Sequence, residues 1–234
     1  MNRRIWTIGT MGLAACLLAC SSGGARRSAQ APTIQDEWLA RVPPDQLGMV
    51  EEARAALRQA EDTVTRAEVD VADAERQREV ARAEHSAAEA QVKAAEANLK
   101  AAESTGQRSE IDRARMELED ARMRREVAQA RVEVVDARIE AAKKRQELAE
   151  ARRDTAKVRV DQAEYDTLRQ HGDVRVQDID PVQFESALAD HRAREAELER
   201  EIVDAERKIQ TAQQQLQEKQ SRMQARQSQP SPAG

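Results

Sequence analysis

Aromatic and cysteine residues are nearly absent from this 234-residue sequence, and each scarcity excludes a class of structure. The chain has two Trp, one Tyr, one Phe and two Cys, whereas charged residues make up 35% of it. Because aromatic side chains contribute much of the buried area of an ordinary globular core, a thick core is excluded. Both cysteines, Cys16 and Cys20, lie near the N-terminus, so the rest of the chain has no thiol for a disulfide, a metal or a nucleophile.

Motifs of catalytic or metal sites are also missing. The sequence has no Gly-rich phosphate loop, no HExxH motif and no nucleophile elbow. His85, His171 and His191 are spread over separate segments, without clustered carboxylates. Basic and acidic residues are mixed along the chain, which has a net charge of −5, and no basic face of a nucleic-acid-binding protein is apparent. We therefore expect no enzymatic activity, no metal or other cofactor and no nucleic-acid partner.

The N-terminal residues have the layout of an export signal. Arg3 and Arg4 precede an uncharged apolar run over residues 5–19, which is too short to span a membrane as a mature helix. The run ends in Leu17-Leu18-Ala19-Cys20, which resembles the lipobox of bacterial lipoproteins. An ordinary secretory signal with a chance cysteine is the alternative interpretation.

The lipobox resemblance implies where the protein resides. In that family the signal, here residues 1–19, is removed, and the cysteine, here Cys20, carries covalent lipid. Two or more acyl chains anchor a protein stably to a membrane. Ser21 in the next position implies an outer-membrane lipoprotein that faces the periplasm of a Gram-negative bacterium. Residues 20–31 would form a flexible tether, because they are rich in small and polar residues.

A strict heptad pattern predicts a first long helix over residues 46–103, after a short packed segment at 32–45. One heptad position is always alanine, and the position four residues later is mostly a branched aliphatic residue. Helix propensity alone would not confine alanine to one position, so the pattern indicates a coiled-coil seam. Further alanines on another face of the helix are explained by propensity. The two seam series are Ala53, Ala60, Ala67, Ala74, Ala81, Ala88, Ala95, Ala102 and Leu57, Val64, Val71, Arg78, His85, Val92, Leu99.

A second helix over residues 111–171 repeats this register. The interruption at 104–110 contains Gly106, and Ser109 is a candidate cap for the second helix. Gly172 is a candidate stop. A second apolar stripe on this helix predicts a second neighbour. The repeated seam, which weakens past about residue 146, is Ile111, Leu118, Arg125, Val132, Ile139, Gln146, Arg153 with Ala114, Ala121, Ala128, Val135, Ala142, Ala149, and the second stripe is Val127, Val134, Ala141, Leu148.

Two helices of matched length joined by a short glycine-containing connection predict an antiparallel hairpin. After a connector at 172–180, a third helix over 181–225, with Asp180 as N-cap, would pack on the second stripe, and residues 226–234 would be a disordered tail. The expected fold is therefore all-α: a long alanine-rich hairpin with a third helix completing a partial three-helix bundle. Its seam resembles that of the close-packed alanine coils. A parallel oligomer or a lone charged helix is the rival architecture.

Polar residues inside the seam allow two interpretations. If the chain reverses near Gly106, Arg125 lies near Ala88 and His85, and Arg78 is one heptad away. These side chains could form a polar layer that specifies register. The alternative, which we favour, is that long side chains extend from a thin seam to water and His85 is merely tolerated.

These features predict a structural or interaction protein. The preferred hypothesis is a lipid-anchored envelope scaffold that contacts the membrane through its N-terminal lipid and envelope proteins through its helical faces or tip, and that could also form homo-oligomers. The alternative is an accessory component of an envelope transport or secretion assembly, since the hairpin resembles those of periplasmic adaptor proteins. The adaptors' flanking β-rich domains have no counterpart in this sequence. The candidate interaction tip is Ser104, Thr105, Gly106, Gln107 and Arg108.

Overall fold

Three long helices form the computed structural model, which describes residues 31–228. Helix α1 spans Gly48–Thr105, α2 spans Arg108–Gln170 and α3 spans Val182–Gln227. Short 3-10 turns precede α1 and connect α2 to α3, and the part of the chain that is described contains no strand. The turns are Asp36–Arg41, Pro44–Gln46 and Val174–Val176.

The predicted all-α hairpin with a third helix is confirmed. Helix α1 packs along α2, and α3 packs on another side of α2, so α2 is the central helix. The lone-helix alternative is therefore wrong. The predicted signal, the lipobox with Cys20 and residues 229–234 lie outside the described residues.

The α1–α2 seam agrees with the heptad prediction residue by residue. Between residues 53 and 102, every member of the two predicted series is buried or half-buried. The only other α1 residues in that interval that are not exposed are Arg54 and Glu75. The additional alanines are all exposed, which agrees with a propensity role for them: Ala83, Ala87, Ala90, Ala94, Ala97 and Ala101.

The turn between α1 and α2 is shorter than the predicted interruption at 104–110. Helix α1 continues through Thr105 and α2 starts at Arg108, so only Gly106 and Gln107 lie between the helices. Gly106 reverses the chain with a φ of 70°, a left-handed conformation that costs little only for glycine. The Thr105 Oγ1 accepts a hydrogen bond from the Gln107 N–H at 3.3 Å. Ser109 lies inside α2 and is not its cap, which corrects the prediction.

The ends of α2 and α3 at the connector follow local rules. Gly172, with a φ of 67°, stops α2: its N–H donates to Arg169 O at 3.0 Å, and the Asp173 N–H donates to Leu168 O at 3.0 Å. This pair of bonds is a Schellman motif. At the start of α3, Asp180 Oδ1 accepts from the Val182 N–H at 3.0 Å, the bond expected of its predicted capping role.

Helices α1 and α3 leave much of α2 open between them. Leu118 and Ala121 of α2 pack on α1, whereas Leu148 and Ala151 pack on α3. The heptad positions of these two pairs of residues place the α1-facing and α3-facing stripes about 150° apart around the α2 axis. A closed three-helix bundle would need a much smaller angle, so the three helices form an open, bent layer.

Candidate interaction surfaces

The predicted tip is exposed and lies beyond the reach of α3. All five candidate tip residues, Ser104 to Arg108, are exposed. The last ion pair between α3 and α2 joins Arg226 Nε to Asp120 Oδ1 at 3.1 Å, and Arg226 also contacts Glu119. The end of the hairpin between these pairs and Gly106 is therefore a bare pair of helices.

The opposite end, which we call the base, holds the largest side chains. Here the segment before α1 packs against the C-terminal end of α2 and the N-terminal end of α3. The rings of Tyr165 and Phe184 lie 5.4 Å apart between centroids, and the guanidinium of Arg175 lies 5.3 Å from the Trp38 ring centroid. The buried members are Ile34, Leu39, Val42, Val50, Val158, Tyr165, Leu168, Val176, Phe184, Ala187 and Leu188.

A charged network ties the N-terminal segment to this base. Glu164 is 2% exposed and accepts from Arg54 Nη2 at 2.6 Å and Nε at 3.2 Å. Arg54 also contacts Asp36, and Asp161 Oδ1 accepts from the Ile34 N–H at 3.2 Å. Burial raises the pKa of Glu164, and the adjacent Arg54 only partly offsets this effect. Burial likewise raises the pKa of Asp161.

Many of the charged residues of α2 fall into two columns, each of one sign, although charges of both signs are mixed along the sequence. Each column has a spacing of seven residues, and the two run along different sides of the helix. The basic column is Arg124, Arg131, Arg138, Arg145, Arg152, Arg159, and the acidic one is Asp112, Glu119, Glu126, Glu133, Glu140, Glu147, Asp154, Asp161. The apolar heptad pattern does not reveal these columns, because they consist of charged residues.

The arginine column links the central helix to both neighbours. Arg131 Nη1 donates to Glu84 Oε2 of α1 at 2.9 Å, and Arg145 Nη2 donates to Glu206 Oε1 of α3 at 2.7 Å. Arg152 makes a corresponding bond to Glu199 of α3 at 2.9 Å. Because the same column reaches both α1 and α3, it faces the space between them.

A groove lies in that space, with α2 as its floor. One section of about 560 Å³ adjoins a second section of about 310 Å³, and Glu84 and Arg131 line both. We call the two together the arginine groove. Its lining is Asp73, Arg76, Gln77, Val80, Ala81, Glu84, Ala87, Ala88 and Gln91 of α1, Arg124, Val127, Ala128, Arg131, Val134, Val135 and Arg138 of α2, and Leu216 and Met223 of α3.

The polar residues of the seam do not form a joined layer. His85 Nε2 lies 3.9 Å from Glu89 Oε1 on its own helix, and the structure gives His85 and Arg125 no hydrogen bond or ion pair to each other within residues 31–228. Arg78 is half-buried, and its Nε has no hydrogen-bond partner. This geometry favours the interpretation that these side chains are tolerated at the edge of the seam.

Neither a metal cluster nor a membrane span occurs in the described part of the chain. Over residues 31–228, no three or more His, Cys, Asp or Glu side chains are grouped to hold an ion. None of the helices formed by these residues is both long and apolar enough to cross a bilayer. Comparison of the chain with protein-family models, curated proteins and solved structures finds no match.

Proposed function

We propose that this protein is a lipid-anchored scaffold of the cell envelope that presents a coiled-coil hairpin for protein–protein interaction in the periplasm. The observation that carries the proposal is the placement of the N-terminal segment. Residues 34–42 pack at the base, at the opposite end of the hairpin from Gly106. A chain anchored through lipid on Cys20 would therefore be held at its base and project its tip away from the membrane.

The length of the hairpin supports a projecting role. Helix α1 has 58 residues. At 1.5 Å per residue, α1 would separate the base from the tip by about 90 Å. The seam is continuous over this distance, and the faces of α1 and α3 that point away from α2 are exposed and mostly polar or charged. Such a shape offers long surfaces to partners, and we propose no catalytic role and no cofactor besides the covalent lipid.

The bare tip favours a second candidate function, in which the protein is an accessory component of a transport or secretion assembly. Because α3 ends near Asp120, only two helices form the far end, as in the hairpins of periplasmic adaptor proteins, which dock end-on to channel helices. The tip residues Ser104 to Arg108 would then form the contact.

Membrane fractionation tests the anchor. Wild-type protein and the Cys20→Ala variant would be compared in their native envelope, with Cys16→Ala as the matched control. We expect the wild type and the control in the membrane fraction, and Cys20→Ala released from it. Retention of Cys20→Ala in the membrane would refute the lipid anchor.

Photo-crosslinking distinguishes the two candidate functions. A photoreactive residue at Gln107 in the tip would be compared with one at Val203, an exposed position on α3. Capture of a channel or pump subunit from Gln107 but not from Val203 would support tip docking. Capture of general envelope proteins from both positions would support the scaffold, and capture of neither kind would argue against both functions.

A further inference from the structure

We propose that the arginine groove is the docking site for one acidic amphipathic helix of a partner protein. The inference rests on the proposed role as a protein-binding scaffold, and it does not depend on the lipid anchor. It assigns a surface other than the tip and states the chemistry of the partner.

The width of the groove fits one helix. Packed helices have axes 8–10 Å apart, so α1 and α3 each lie at about 9 Å from α2. With about 150° between them, a further helix seated on α2 midway between α1 and α3 would have its axis about 11 Å from each. One helix could therefore contact all three, and a pair of helices would not fit side by side.

Apolar side chains form part of the floor and walls of the groove, between the charged ones. Val134 of α2 is buried in the floor, Ala81 of α1 is buried beside it, and Leu216 of α3 is half-buried on the opposite wall. Val80, on the α1 side, is 61% exposed, the largest exposure of any α1 valine. A docked helix would cover Val80 and extend the thin α1–α2 seam with further apolar contacts.

The charge of the groove selects an acidic partner. Four arginines line it against two acidic residues, Asp73 and Glu84, on a chain whose net charge is −5. Arg131 is paired with Glu84, and Arg76 contacts Asp73. Arg124 and Arg138 have no ion pair within the described residues. Glutamates on the flanks of a docked helix would pair with these two guanidinium groups.

Electrostatic pairing would also fix the position of the helix along the groove. Arg124, Arg131 and Arg138 recur at seven residues, which is the repeat of a heptad helix, so carboxylates at one heptad position could meet each arginine in turn. The apolar stripe of the same helix would then face the floor. A partner helix with glutamates flanking a small apolar stripe satisfies both requirements.

Two synthetic helical peptides test the proposal. Both carry three heptads with alanine and leucine in the apolar positions; one has glutamate at the flanking positions and the other has lysine. Fluorescence anisotropy would measure the Kd of each peptide for the full-length protein in detergent. We expect the glutamate peptide to bind at least about tenfold more tightly than the lysine peptide, and its Kd to rise with salt.

Charge-reversal variants locate the binding. In the double variant Arg124→Glu/Arg138→Glu, we expect the Kd of the glutamate peptide to rise at least about tenfold. Arg159→Glu is the matched control, because Arg159 belongs to the same column but does not line the groove. Circular dichroism and the urea midpoint would verify that all variants are folded.

Several outcomes would overturn the proposal. One is that the glutamate peptide shows no binding up to about 1 mM, and another is that the two peptides bind with equal Kd. A third is that the Arg159→Glu variant raises the Kd of the glutamate peptide as much as Arg124→Glu/Arg138→Glu does. Sedimentation that shows a dimer abolished by Arg124→Glu/Arg138→Glu would instead identify a second copy as the occupant. None of these outcomes bears on the anchor, which the fate of Cys20→Ala decides separately.

Discussion

Phe184 at the base and Ala88 in the seam are both buried, yet they stabilise the fold to very different extents. Phe184 is 0% exposed and packs among aliphatic residues and Tyr165, whereas Ala88 is 8% exposed and presents one methyl group to α2. Full burial of a phenylalanine contributes about 1.5–3 kcal/mol, against about 0.8 kcal/mol for a single carbon. The base is therefore the stable end of the molecule and the hairpin its more easily opened part.

This difference follows from how many elements meet at each end. At the base, the N-terminal segment, α1, α2, the connector and α3 surround one cluster. Near the tip only α1 and α2 pack, with Val92, Ala95, Leu99, Leu118 and Ala121 as their apolar contacts. Regions with few buried apolar contacts open locally at lower free energy. We expect amide exchange to become faster from the base toward the tip.

The largest expected loss of stability comes from removing a large buried side chain from the base. Phe184→Ala should lower the free energy of unfolding by about 4 kcal/mol, because it removes a fully buried ring and leaves a cavity. Leu118→Ala, which empties a site in the distal seam, should cost about 2 kcal/mol, since the thin seam can collapse around the gap. Urea denaturation measures both. Equal losses would contradict the distinction between base and seam.

Overfilling the seam should have the next largest effect. Ala88→Leu places three extra carbons between closely packed helices and should cost about 2 kcal/mol. Ala90→Leu, on the exposed face of the same helix, should change stability by less than about 0.5 kcal/mol. Amide exchange of α1 and α2 near the substituted residue would report the loss. If Ala88→Leu were neutral, the close approach of the helices would be wrong.

A smaller effect is expected at the tip. Gly106→Ala should cost about 1 kcal/mol, because an L-residue is strained at a φ of 70°. Gly48→Ala is the control: an added Cβ would meet no other part of the protein within 4 Å at either glycine, so only the backbone conformation differs. Thermal melting and amide exchange at the tip measure the loss. A cost at Gly48 equal to that at Gly106 would remove backbone strain as the explanation.

The smallest effect concerns pH and the base. Because the pKa of Glu164 is raised above its ordinary value of 4.5, the folded protein binds that proton more tightly than the unfolded chain does. The contribution of Glu164 to stability is therefore greatest below pH 4.5 and falls as the pH rises through the raised pKa. Glu164→Gln lacks this titration. The urea midpoint of the variant minus that of the wild type should therefore increase as the pH rises from about 4.5 to 7.

A control variant isolates this pH effect. Glu52→Gln removes an exposed carboxylate on α1 and controls for the loss of one negative charge. A relative midpoint of Glu164→Gln that falls with increasing pH would mean that the ion pair with Arg54 outweighs burial.

The heptad pattern predicted the seam well because it is a local property. In a helix, residues spaced three and four apart share a face, so the series from Ala53 to Ala102 had to lie together. The end of α2 at Gly172 was equally local. The turn at Gly106 was predicted too long, because a single residue with positive φ suffices to reverse the chain and the flanking Ser, Thr and Arg remain helical.

The arginine column shows what the sequence contained but apolar patterns did not reveal. Its residues from Arg124 to Arg159 recur at seven, a period as regular as that of the alanines. Their pairing could not be predicted, because Glu84, Glu199 and Glu206 come from two other helices whose positions around α2 depend on long-range packing.

The sequence by itself determined three helices, the residues of the α1–α2 seam and the reversal of the chain, since each depends on spacing or on a single backbone conformation. Only the tertiary structure decided that α1 and α3 do not close on each other. The two apolar stripes of α2 place α1 and α3 about 150° apart around it, and the two outer helices could approach each other only if they offered each other apolar faces. Toward each other they offer few large apolar side chains, namely Val80, Leu216 and Met223, so the layer stays open and the arginine groove exists.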